Sequence, residues 1–165
     1  VAQKLAMATR GKQDQTAIQI SYLAGILDAD GSISISKMKA GAQRTTAPRY
    51  VLTINVVNTS RELMEWLVEA FSGRYKVRRK AQGNHRATYD WWFNNGKALP
   101  LLKTVEPYLL IKKERVLLAI EFLEGWVTIH GGRGSKTPVE EVERREAFYQ
   151  KMKQLNRTGL CSRND

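Results

Sequence analysis

The chain has 165 residues, 42% of them hydrophobic, enough for a single domain with one core. Lys and Arg number 27 against 16 Asp and Glu, a formal net charge of +11, so the favoured partner is a polyanion. A single cysteine, Cys161, excludes an internal disulfide, and with two histidines it leaves too few ligands for a Cys-rich zinc site.

No apolar run reaches the roughly 18–20 residues of a membrane span, and no membrane partner is expected. Residues 1–15 are polar and Ala-rich, without a signal-type apolar stretch, and read as a flexible segment ahead of one domain over 16–165. The expected location is an intracellular, reducing compartment (cytoplasm, nucleoid or organelle matrix) rather than secretion.

Asp14 or Thr16 offers a cap for a helix through Ile18, Ile20, Tyr22, Leu23 and Ile26 to Asp30, where Gly31 stops it. Residues 32–39 read as a strand, with Ile33 and Ile35 on one face and Ser32, Ser34 and Ser36 on the other. Residues 41–48 are turn material. In the next strand Tyr50, Leu52, Ile54 and Val56 alternate with Arg49, Val51, Thr53 and Asn55. Thr59 and Glu62 have capping-box spacing ahead of the helical stripe Leu63, Trp66, Leu67, Ala70 and Phe71, which Gly73 ends. Strands are predicted over 75–80 and 88–93 around a Gly83-Asn84 turn. A short helix is predicted over 97–105, with Pro100 tolerable only in its first turn. A longer one is predicted over 112–124, with Val116, Leu117, Ile120 and Leu123 as its apolar stripe. A C-terminal helix over 137–156 is opened by Thr137, Pro138 and Glu140. Hairpins separated by helices imply an α+β fold, an antiparallel sheet with helices on one face.

The other face carries Ser32, Ser34 and Ser36; Arg49, Thr53 and Asn55; Lys76, Arg78 and Lys80; and Thr88, Asp90 and Trp92. Basic and hydrogen-bonding side chains on a β-surface suit the base edges of a DNA groove, and Arg44, Arg79 and Arg86 near the ribbon ends suit phosphates. His85 reads as a surface or phosphate contact, and Trp66, Tyr89 and Trp91 as core.

Leu23-Ala24-Gly25-Ile26-Leu27-Asp28-Ala29-Asp30-Gly31 resembles the defining motif of the LAGLIDADG homing endonucleases, with seven of nine positions identical and two aliphatic exchanges. Ser32-Ile33 continuing as a strand is also similar to the family, and the resemblance extends over residues 16–124. No second motif is present, since residues 118–126 have Gly125 where the last acid would stand. The chain is therefore identified with the single-motif, homodimeric type. That type implies an αββαββα fold with a saddle-like sheet of four strands.

The residues allow part of this independently. Gly25 and Ala29, four apart, make a small-residue face that admits a second helix, or else packs within the chain. Carboxylates at the end of a helix oppose its macrodipole and call for a cation. From the resemblance, Asp30 is the metal ligand, with the carbonyl of Ala29 assisting, while Asp28 orients or caps locally. Leu23, Gly25, Ile26 and Ala29 are expected at the dimer interface. Asn58 matches the water-positioning polar residue, often Gln in relatives, and Lys112, rather than Lys113, matches the lysine facing the phosphate. Arg61 is the candidate for a further basic residue, with Glu62 close by. The resemblance implies Mg²⁺, with Mn²⁺ as a substitute, and cleavage of both strands of a long pseudo-palindromic duplex site to short 3′ overhangs, promoting intron mobility. The alternative is a catalytically silent maturase, with intron RNA as partner, or a DNA-binding regulator. Beyond residue 124, Arg133, Lys136 and Lys153 are candidates for further phosphate contacts.

Overall fold

The computed structural model describes residues 2–38, 48–126 and 137–157, and side chains from residue 16 onward apart from Trp126. Helix α1 (Ala2–Ala29) leads into strands β1 (Gly31–Met38) and β2 (Arg49–Asn58). Helix α2 (Arg61–Phe71) precedes β3 (Arg74–Arg79) and β4 (Thr88–Asn94). Then come α3 (Ala98–Val105), α4 (Lys113–Trp126) and α5 (Val139–Arg157), with short 3₁₀ turns on either side of α3. No helix of the described residues is long and apolar enough to cross a membrane.

The four strands form one antiparallel sheet in the order β1-β2-β4-β3. Because side chains alternate along a strand, the register sorts them into two surfaces. Ile33 pairs with Ile54 and Ile54 with Phe93; Val56 pairs with Trp91. All five are buried, so this face is the core face. Leu23, Ala24 and Leu27 of α1, Met64 and Leu67 of α2, and Leu102, Val116, Phe122 and Met152 from the later helices close over it. Trp91, Trp66 and Tyr89 belong to this core or pack against it, as their sequence context predicts.

Several boundaries differ from the sequence expectation. Helix α1 begins at Ala2 instead of at Asp14 or Thr16, because Ala, Gln, Lys, Leu and Met are all good helix formers and sustain it through Gly11. The cap of α2 is Ser60, one residue later than Thr59: its hydroxyl accepts the Leu63 N–H at 3.1 Å. In α4 the buried positions are Val116, Leu118, Ala119, Phe122 and Leu123, whereas Leu117 is exposed. That helix is apolar on most sides, so periodicity alone did not choose its inner face. The cap expected at Thr137 precedes α5, and Pro100 does fall in the first turn of α3.

Helix α5 packs against β1, β2 and α4. Its Glu146 accepts hydrogen bonds from the Tyr50 hydroxyl and from Gln150 Nε2 (2.8 Å), and forms an ion pair with Lys37 Nζ (2.8 Å). Hydrogen bonds from Lys37, then Tyr50 and Gln150, pull the Glu146 carboxyl down to about 2. A carboxylate with a depressed pKa stabilises the fold above its unfolded value near 4.5, and that contribution is lost as pH falls toward 2. Glu146→Gln should therefore be less stable than the parent at neutral pH, with the gap closing between pH 4.5 and 2. Urea titrations at a series of pH values measure this, and a gap independent of pH would exclude the ion pair as its source.

Candidate active site and nucleic-acid-facing surface

At the end of α1 two helix termini meet head to tail. The Asp28 carboxylate accepts the backbone N–H groups of Leu110 (2.8 Å), Ile111 (3.2 Å) and Lys112 (2.9 Å), donors at the entrance to α4. Reciprocally, Lys112 Nζ donates to the carbonyls of Leu27 (2.7 Å), Asp28 (2.8 Å) and Ala29 (3.4 Å), the unpaired acceptors that end α1. Each charge sits against the helix pole of opposite sign. Burial pushes the Asp28 carboxyl up, but the three N–H groups and the Lys112 cation outweigh it and hold its pKa below the usual value. Burial lowers the Lys112 pKa; Asp28 and Asp30 oppose that, and Arg115 adds to it.

The chain leaves this clamp through Asp30, whose N–H closes the last turn on Ile26 O at 2.8 Å. A Cβ at Gly31 would lie 2.6 Å from Leu27 O and 2.7 Å from Leu27 Cα, so only glycine lets β1 start this close to the helix. The Asp30 side chain is exposed and accepts a hydrogen bond from Asn58 Nδ2 at 3.1 Å. The Asn58 amide is itself oriented, since its Oδ1 accepts the Ser60 N–H at 2.9 Å. Sequence reasoning thus named three residues, Asp30, Asn58 and Lys112, that converge at one end of α1. It also named Arg61, whose guanidinium runs along α2 to Glu65 (2.8 Å) and away from this group.

The exposed Asp30 carboxylate and the nearby Ala29 carbonyl are hard oxygen donors. They fit Mg²⁺ or Mn²⁺, which take one or two carboxylates and complete the shell with water and substrate phosphate. No cluster of three or more acidic, His or Cys ligands occurs among the described residues. Asp28, fully engaged with backbone N–H groups, is a structural carboxylate.

The open face of the sheet runs in rows across the strands. One row is Ser32, Asn55, Trp92 and Arg74; the next is Ser34, Thr53 and Asn94; on the other side Val57, Asp90 and Lys76 are paired. Ser36 opposes Val51, and Arg49 opposes Met38. Within a row Thr53 Oγ1 donates to Asn94 Oδ1, and between neighbouring rows Asn55 Nδ2 donates to Asp90 Oδ1, both at 3.1 Å, while Lys76 Nζ lies 5.1 Å from the Trp92 ring centre.

Strand β3 departs from simple alternation. A register shift between Val77 and Arg79 leaves Arg78 as the extra residue and pairs Arg79 with Thr88. Arg78 still lines a hollow with Lys76, Asp90 and Asn55. Lys80, expected on the strand, lies past its end, and Arg86 is exposed in the following loop. His85 pairs through its backbone with Gln82 at the hairpin tip. Arg44, Arg133 and Lys136 lie outside the described residues. Lys153 is on α5, its ammonium over the Tyr149 ring. Arg74 and Asn94 were missed because the sequence bounds of β3 and β4 stopped one residue short; the two-residue period from Lys76 and Trp92 would have reached both.

A third feature is apolar. Along α1, Ile18 (62% exposed), Tyr22 (56%), Gly25 and Ala29 face outward, with Ile26 half-buried beside them. A Cβ on Gly25 would touch nothing within 4 Å, so the small-residue face does not pack against any of the described residues. Leu110 (90%) and Ile111 (72%), held beside the end of α1 by Asp28, are exposed too. Leu23, expected on this face, is instead completely buried: with Ala24 and Leu27 it falls on the opposite side of the helix.

No family model matches the chain, and no curated protein matches it either. Solved structures do. The archaeal intron-encoded homing endonuclease I-Vdi141I, complexed with DNA, is 21% identical with a TM-score of 0.67 over 84% of each chain. The homing endonuclease I-CvuI, in complex with its target in the presence of Ca²⁺, is 14% identical with a TM-score of 0.59, over 84% of this chain and 97% of that one. I-SmaMI, bound to an uncleaved DNA target in the presence of calcium ions, is 21% identical with a TM-score of 0.58, over 84% of this chain but 45% of its own. At these identities what is shared is the fold.

The clamp makes a testable demand. Asp28→Asn keeps the shape but loses the charge that receives three N–H groups, and should cost about 1–3 kcal/mol at neutral pH. Because the folded-state pKa of Asp28 is lowered, its contribution is present above the unfolded value of 3.8 and fades as pH falls below it. Chemical denaturation of both proteins at pH 7 and pH 3 checks the sign; an equal cost at both values would contradict it.

Proposed function

We propose, on the premise that this chain carries the fold of the LAGLIDADG homing endonucleases, that it is a site-specific DNA endonuclease acting as a two-fold symmetric homodimer. The observation that carries this reading is an exposed carboxylate, Asp30, oriented by Asn58 and set at the rim of a basic, hydrogen-bonding sheet face. A binding module has no need of a carboxylate at a helix end facing a polyanion.

The open sheet face docks in the major groove. Arg49, Arg74, Lys76 and Arg78 meet phosphates or guanine, and Ser32, Ser34, Thr53, Asn55 and Asn94 meet base edges. Asp30, with the Ala29 carbonyl, would hold Mg²⁺, which would supply a Lewis acid for the scissile phosphate and lower the pKa of bound water. Asn58, its amide fixed by Ser60, orients the Asp30 carboxylate and the water around it. Lys112 brings a half-buried cation to the same end and offsets charge developing on the phosphate. One chain supplies one such carboxylate, so cutting both strands requires a second copy. The outward face Ile18, Tyr22, Gly25 and Ala29, with Leu110 and Ile111, is where that copy docks, bringing two Asp30 residues together at the centre of a pseudo-palindromic site. Short 3′ overhangs and intron mobility accord with this arrangement.

Asp30→Asn should abolish cleavage of duplex DNA in Mg²⁺, a loss of at least about 10²-fold, with binding retained. Binding and folding lost together would make Asp30 structural, and a wild-type protein that binds DNA without cutting it would favour the silent maturase or regulator. Sedimentation should give a dimer that Gly25→Trp converts to a monomer unable to cut; a wild-type monomer that still cuts both strands would sink the symmetric scheme.

A further inference from the structure

The Asp90 carboxylate, on the face that the sequence assigns to base edges, has no contact of its own in the scheme so far. It is half-buried, and among the described residues on the open sheet face it is the sole acid, surrounded in the rows by Asn55, Val57, Lys76 and Trp92. A carboxylate facing a polyanion costs binding energy unless something accepts or neutralises it. No ion pair joins it to a described residue: Lys76, its partner in register, is turned toward the Trp92 ring. What it does have is a fixed orientation, because Asn55 Nδ2 donates to its Oδ1 at 3.1 Å. That bond leaves Asp90 Oδ2 and Asn55 Oδ1 as further acceptors on the open sheet face.

We infer that Asp90 and Asn55 act together as a specificity element that selects a base with an exocyclic amino group in the major groove, cytosine or adenine, and rejects guanine and thymine. The inference rests on the endonuclease reading above. Cytosine offers its N4 amino group and adenine its N6 amino group in that groove, whereas guanine O6 and N7 and thymine O4 are acceptors that a carboxylate repels. The location follows from the register. Gly31 pairs with Val56, so Asp30 reaches the end of β2, and Asp90 lies opposite Val57 on the next strand. Two strand spacings, roughly 10 Å, separate the two backbone positions. The selected base therefore lies within a few base pairs of the cut, once in each half of a symmetric site. Asn55 is a positioning residue for the carboxylate as well as an acceptor.

The test is a binding selection on a randomised duplex library without divalent metal, so that cleavage does not enter the readout. Wild type, Asp90→Asn and Asn55→Ala are compared, each checked as folded by circular dichroism. Wild type should show one position per half-site at which cytosine or adenine is preferred over guanine and thymine by about tenfold or more. Asp90→Asn should lose that preference at that position alone, and Asn55→Ala should weaken it at the same position. If Asp90→Asn does not fold, Asn55→Ala carries the comparison. Superimposable profiles for the folded variants would overturn the inference while leaving the endonuclease reading intact. So would a uniform gain in affinity for every sequence in Asp90→Asn, which would make Asp90 merely a repulsive charge. A wild-type protein that enriches no sequence would overturn the reading itself and the inference with it.

Discussion

The structure turns on the reciprocal contact between the end of α1 and the entrance to α4. Asp28 satisfies three N–H groups and Lys112 three carbonyls, so two helix poles that would otherwise need water neutralise each other. Everything at the site is placed by that contact. It ends α1 where Asp30 projects to solvent, it holds the Lys112 cation beside that carboxylate, and it presses Leu110 and Ile111 outward beside the helix face that carries Gly25 and Ala29. Of two aspartates two residues apart, one is engaged by three backbone N–H groups and the other stands exposed beside Asn58.

The sheet divides the work in a second way. Its core face is built of Ile, Leu, Val, Trp and Phe, and its open face mainly of polar and basic groups with Val51, Val57 and Trp92 among them. The polar groups of the open face bond to one another across strands, Asn55 to Asp90 and Thr53 to Asn94. They are therefore pre-positioned before any partner arrives, which lowers the entropic cost of meeting one. The shift at Arg78 gathers cations along one edge that strict alternation would have divided between the faces.

Helix α5 supports this arrangement from behind. Glu146 ties it to Lys37 and Tyr50, and Asn156 Nδ2 donates to the Ile33 carbonyl at 3.1 Å, on the edge strand β1. The strand that follows directly from Asp30 is thereby fixed along its length. The C-terminal segment, for which the sequence suggested phosphate contacts, contributes through Met152, Phe148 and Leu155 to the core.

Much of the molecule was legible in the sequence. Nine residues ending in Asp30-Gly31 named the motif. Alternation in the hairpins gave the two faces of β1 and β2. These are local signals, in which period, glycine and charge act over a few residues. What the sequence alone left open depends on contacts between distant segments. That Asp28 caps residues 82 or more positions away and that Lys112 reaches back to α1 are outcomes of packing. Leu23 and Leu117 show the same limit: in a helix apolar on several sides, only the neighbouring layers decide which side faces in. The sequence determined which motif and which polar side chains the chain carries, because residue types and their spacing are local. The tertiary structure decided which copy of each residue type is engaged and which stays exposed, because partners lie far along the chain.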